Sequence, residues 1–117
     1  MKSIDIFYFI TSLGIGGAEK NLLLLCKELK DFFDINVAVI KKEGALKSEF
    51  VKLNIPVFEI GTSISEYKKL LKNLNPKIVH AILPRACYIS RIVKKKEDNY
   101  FLINSQRAVL QLSLIHI

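Results

Sequence analysis

Acidic side chains are scarce where the sequence is richest in base. Eleven Asp and Glu stand against 18 Lys and Arg in 117 residues, a formal charge of +7. From Tyr67 to Lys96 there are nine Lys or Arg and no acid. The first apolar run ends in Thr11-Ser12 and not in an acidic cluster, which argues against a phospho-receiver module. Cysteine is limited to Cys26 and Cys87, far apart, so a disulfide framework is excluded and reduced, cytoplasmic thiols are expected. With only His80 and His116 beside them, the cysteines have no metal-ligand spacing, and no metal is expected. No apolar run reaches the ~18 residues that span a bilayer. Lys2 and the apolar stretch after it imitate a secretion signal, but Asp5 interrupts it and no small-residue cleavage site follows. Low-complexity sequence is absent.

What is present is organised around IFYFITSLGIGGAEKNLLLLCKELK, Ile6 to Lys30. Ile6–Ile10 is charge-free, as a strand covered on both faces of a parallel sheet would be. Gly14, Gly16 and Gly17 allow a tight turn that leaves backbone N–H groups uncovered. Leu22, Leu23, Leu25, Cys26 and Leu29 then recur at helical spacing and predict a buried stripe on a helix starting near Gly17. A helix start with free N–H groups attracts anions, which makes Gly14, Gly16 and Gly17 candidate phosphate contacts. Glu19, an early acid, suits the helix dipole. Asn21 reads as helix surface or as another contact to the cleft described below.

Beyond it, strand and helix patterns alternate. Strands are expected at Ile35–Ile40, Val57–Ile60, Lys77–Leu83 and Tyr100–Asn104. Leu46, Phe50, Val51 and Leu53 mark a second helix that ends before Pro56. A third carries Tyr67, Leu70, Leu71 and Leu74, capped by Ser65 and stopped at Asn75-Pro76. A fourth, after Pro84, carries Ala86, Ile89, Ile92 and Val93, with Lys94–Lys96 at its basic end. Five strands joined by helices of about 10–15 residues predict an α/β, Rossmann-like doubly wound parallel sheet in the order 3-2-1-4-5. Ligands bind beyond the strand C-termini where that order reverses, between the first and fourth strands.

The residues meeting at the reversal are then Thr11–Gly17 and His80–Arg85. His80 is the one candidate catalytic residue, and it reads equally as a core histidine with a backbone partner or a group orienting substrate. Arg85, past Pro84, can fork onto a phosphate or carboxylate. Ser105, Gln106 and Arg107 follow the fifth strand on the same side. The basic stretch 68–96 reads as a solvated face that can lie on an anionic membrane surface. Nucleic acid is not expected, since no aromatic interleaving or known module accompanies the charge.

The run GGAEKNLLLLCKELK resembles the signature that opens the first helix of family 4 glycosyltransferases, which have the GT-B fold. LKNLNPKIVHAILPRA and INSQRAV resemble that family at matching places, so the likeness covers Ser3 to about Leu110. Arg107 matches the family's arginine. Val79-His80 matches the first part of its VHxH strand end, while Ile82 replaces the second histidine. The resemblance implies a two-domain enzyme, retaining and metal-independent, with a nucleotide sugar as substrate and no bound cofactor. Residues 1–111 would be a truncated N-terminal domain receiving a glycan or lipid-linked acceptor. The donor-binding C-terminal domain, with its glutamate pair, would be missing, leaving this piece inactive. Cytoplasmic location, or a peripheral one at the inner face of the membrane, is the expectation.

An oxidoreductase is the alternative. The turn is GxGG without GxGxxG spacing, and Lys41-Lys42 stand where an acid would hold a ribose, which disfavours NAD and leaves NADP open. At the other end, LSLIHI (112–117) is what the transposon adaptor CTGTCTCTTATACACATC encodes in this frame. It is read as a non-native tail, with the natural frame expected to continue past Gln111.

Overall fold

The computed structural model describes residues 3–14, 16–42 and 44–105. Its five strands are β1 (Ile6–Ile10), β2 (Ile35–Val39), β3 (Val57–Glu59), β4 (Ile78–Ile82) and β5 (Phe101–Ser105). Between them run α1 (Gly17–Leu29), α2 (Lys47–Lys52), α3 (Ile64–Leu74) and α4 (Pro84–Val93). The strands form one parallel sheet in the order β3-β2-β1-β4-β5, as the alternation of patterns predicts.

Period-two alternation divides the core. Phe7, Phe9, Val79 and Ala81 point to one face, where α3 and α4 cover them with Tyr67, Leu71, Ala86, Ile89 and Val93. Ile6, Tyr8, Ile10, Val37 and Val39 point to the other, under Leu22, Leu23 and Cys26 of α1 and Phe50 of α2. Each such large apolar side chain contributes about 1.5–3 kcal/mol on leaving water. Tyr67 lies 4.6 Å from the Phe9 ring centre and 6.2 Å from that of Phe7. Burial holds its phenol above the usual range.

Several local expectations are corrected. Ser63, not Ser65, caps α3: its Oγ accepts the N–H of Glu66 at 3.1 Å, completing an S-x-x-E capping signature. Asn75 ends that helix in the left-handed region with φ 46°. The second helix has only six residues, shorter than the spacing implied, and Val51 is exposed. Ile92 is also exposed. Leu25, expected in the buried stripe of α1, is 42% exposed, with no element beside α1 over β4 and β5 among the described residues.

Candidate functional site

Register fixes the rim of the sheet. Ile10 of β1 pairs with Ile82 of β4, so the segments leaving these strands start side by side where the strand order reverses. One is Thr11–Gly16 and the other is Leu83-Pro84-Arg85. The Leu83 N–H donates to the Ser105 carbonyl at 2.8 Å and ties the end of β4 to the end of β5. Leu83 holds φ 76° and ψ 152°, a conformation natural only to glycine, which stores about 1–3 kcal/mol at the rim. Pro84 and Arg85 open α4, and Arg85 is exposed with no ion pair among the described residues. Gln106 and Arg107 lie outside the described residues.

The glycines behave differently from one another. Gly16 is the N-cap of α1 in extended conformation, with no side-chain hydrogen bond to the first turn. Glu19 folds back over it: a Cβ on Gly16 would lie 2.5 Å from Glu19 Oε1, and one on Gly14 would lie 3.7 Å from Oε2. The carboxylate thus sits over the positive end of α1, and an anionic ligand there must displace it. Gly17 has open space around it. The glycine that backbone contact demands is Gly44, in the loop after β2. A Cβ there would meet the Leu13 carbonyl carbon and oxygen at 2.8 Å. Leu46 N–H donates to Leu13 O at 2.9 Å, so the two loops are strapped together. Close approach of backbone was the signal, and Gly44 inside a polar turn did not announce it.

His80 is the central residue of β4 and not near its end, and it points to the α1 face. Its Nε2 lies 2.9 Å from Ser105 Oγ, joined by a hydrogen bond whose direction the tautomer sets. The ring stacks at a tilt on Tyr8, with centres 5.4 Å apart. Burial lowers the His80 pKa below its ordinary value and favours the neutral ring. A cavity of about 130 Å³ is lined by His80, Ile82 and Ser105 on the sheet and Ala18, Asn21, Leu22 and Leu25 on α1. The structure therefore brings His80, Ser105 and Asn21 together on the sheet face below the rim, while Gly14 and Arg85 belong to the rim itself. Beneath them Cys26 is fully buried, its thiol pushed up to about 12 by burial. Tyr8 is likewise pushed up to about 12, by burial first and by Cys26 second.

Arg85 apart, several of the basic residues of 68–96 gather at the opposite end of the strands. Lys68, Lys72 and Lys95 line an open cavity of about 370 Å³ with Asn75 and Tyr100, but Glu97 and Asp98 enter it too. Lys77 pairs with Asp5 at 3.5 Å, and the Lys94 ammonium lies 5.0 Å from the centre of the Tyr100 ring. Among the described residues no three His, Cys, Asp or Glu side chains gather as a metal site, and no helix is long and apolar enough to cross a membrane. Compared with protein-family models, curated proteins and solved structures, the chain matches none.

Proposed function

We propose that the intact protein is a glycosyltransferase that moves a sugar from a nucleotide-sugar donor to a glycan or lipid-linked acceptor, by a retaining, metal-independent route. One observation carries the reading: a glycine turn opening a helix adjoins the Leu83-Pro84-Arg85 turn at the strand reversal. In this reading Gly14, Gly16 and Gly17 admit the donor's phosphates to the N-terminus of α1 once Glu19 swings aside. Arg85 and Arg107 neutralise anionic groups of donor or acceptor. Neutral His80 serves as a positioning residue that orients the Ser105 hydroxyl toward the acceptor. The resemblance of GGAEKNLLLLCKELK, VHAILPRA and INSQRAV to family 4 supports this assignment. A C-terminal domain beyond residue 111 would supply most donor contacts, so residues 1–117 alone would be inert.

The test is nucleotide release by the protein translated from an uninterrupted clone, screened against UDP-, GDP- and other nucleotide sugars. Turnover that falls at least tenfold in Arg85→Ala and Arg107→Ala is expected. The exposed Lys41-Lys42 pair after β2 favours an NADP-binding oxidoreductase as the second reading. Tight NADP binding with no sugar transfer would replace the first reading by the second. The basic 68–96 face would hold the protein on the cytoplasmic leaflet, at about 1 kcal/mol per lysine near the surface. Sedimentation with vesicles containing anionic lipid, weakening with salt, is the expected result.

A further inference from the structure

The outer surface of α4 is cationic and apolar at once. Ala86, Cys87, Ile89, Ser90 and Val93 are its buried residues. What remains outside is an arc of about 120° on a helix of 3.6 residues per turn. Tyr88 and Ile92, one turn apart, stand in the middle of that arc, 68% and 53% exposed. Arg91 flanks them on one side and Arg85 on the other, both exposed. Lys95 and Lys96, also exposed, follow just past the helix end. On the same side of the sheet α3 packs beside α4, and its Lys68 and Lys72 line a groove with Val93 and Lys95. No acid occurs between Glu66 and Glu97. At the far end of α4 the Asp98 carboxylate is occupied by the Lys95 N–H, 2.9 Å away. Among the described residues none of Arg85, Arg91, Lys95 and Lys96 has an ion pair.

We propose that the outer face of α4 lies flat on an anionic bilayer, with Tyr88 and Ile92 inserted at the headgroup boundary and Arg85, Arg91, Lys95 and Lys96 among the lipid phosphates. The proposal rests on the reading that the basic 68–96 face meets a membrane, and it names the plane of contact. A helix whose exposed apolar residues are flanked by cations is the pattern that lies in a bilayer interface. Tyrosine suits that depth, with an apolar ring and a hydroxyl that stays wet. Charge decides between occupants. A second copy, related by a two-fold axis, would set the arginines of one α4 against those of the other. A nucleic acid would use the cations and leave Ile92 in water. The orientation also bears on the crevice. α4 begins at Pro84, directly after the turn that ends β4, so a bilayer along α4 passes beside the strand reversal with Arg85 at headgroup level. A lipid-linked acceptor would then reach the crevice without leaving the leaflet.

Fluorescence quenching tests it. The sequence holds no tryptophan, so Tyr88→Trp in the 117-residue chain reports alone. The probe is a vesicle of phosphatidylglycerol in phosphatidylcholine with brominated acyl chains. Strong quenching of Tyr88→Trp is expected there and none on pure phosphatidylcholine. Phe32→Trp, 78% exposed at the end of α1 across the sheet, should stay unquenched on both. Tyr88→Ser with Ile92→Ser should weaken sedimentation with the anionic vesicles at least tenfold, with an unchanged circular dichroism spectrum because both side chains are exposed. Arg91→Ala should weaken it about fivefold, the equivalent of about 1 kcal/mol for one cation at the surface. Failure of the wild-type chain to bind anionic vesicles at low salt overturns the membrane reading and this proposal together. Binding that leaves Tyr88→Trp unquenched, quenches Phe32→Trp equally, or is untouched by the double serine variant overturns the proposal alone, because another surface then meets the lipid. A dimer mass in light scattering that the double serine variant abolishes also overturns it, since a second copy then holds α4. So does binding to single-stranded RNA as tight as to the vesicles.

Discussion

A methyl group on Gly44 tests how the loops at the strand ends are held. The added carbon would sit 2.8 Å from both the carbonyl carbon and oxygen of Leu13 and 2.9 Å from its Cβ. Carbon atoms prefer about 3.5–4.0 Å, so one loop must retreat by roughly 0.7 Å. The obstacle is backbone and cannot swing aside as a side-chain tip would. Retreat also stretches the Leu46 N–H to Leu13 O bond at 2.9 Å and shifts the segment leading to the glycine turn. Forcing a methyl into such a contact costs about 1–3 kcal/mol. Urea unfolding followed by circular dichroism reads this directly, since slopes of about 1–3 kcal/mol per molar place the expected fall in midpoint near 1 M. Gly17→Ala is the control. It sits at the first position of α1 with nothing within 4 Å, and alanine there should stabilise by about 0.4–1 kcal/mol. A Gly44→Ala midpoint equal to wild type, or a Gly17→Ala loss as large as that of Gly44→Ala, would refute the reasoning.

Three further outcomes are expected. Ser63→Ala removes the bond to the Glu66 N–H and should cost about 1 kcal/mol in the same assay. At position 83 glycine should be more stable than alanine by about 1–3 kcal/mol, the reverse of the usual order, because φ 76° with ψ 152° strains any residue with a Cβ. Burial lowers the folded-state pKa of His80 below the ordinary 6.5. As pH falls below 6.5 the unfolded chain therefore takes up a proton that the folded chain refuses. Stability present above pH 6.5 is lost as pH drops toward the folded value, and His80→Asn should flatten that slope in urea titrations between pH 7 and 5.

The architecture was legible because its signals are periodic. Ile6–Ile10 carries no charge and is buried on both faces, and the strand order follows from right-handed crossovers between short apolar runs. Local chemistry was read less well. Ser63 and Glu66 spell a capping box, yet Ser65, nearer the apolar stripe, drew the assignment. Leu25 and Ile92 fit helical spacing as well as their buried neighbours do. Spacing reports which side of a helix faces the sheet and not how far the covering layer extends, and both are exposed.

The candidate site divides along the same line. Sequence alone could place Gly14, Gly16, Arg85 and Ser105 at strand ends, because strand ends are set by pattern breaks. It could not distinguish a glycine required by backbone contact from one with room to spare, since steric need arises between segments distant in the chain: Gly44 against Leu13 is the case. Nor could it place His80 as the middle of a strand, where alternation aims it across the sheet face and into hydrogen bonding with Ser105, 25 residues away. That pairing is what joins the rim to the face. Leu83 N–H holds the Ser105 carbonyl from the rim while His80 holds its hydroxyl from below, so Ser105 is fixed from two sides by β4. Any motion of the strained Leu83 turn must therefore be felt at Ser105.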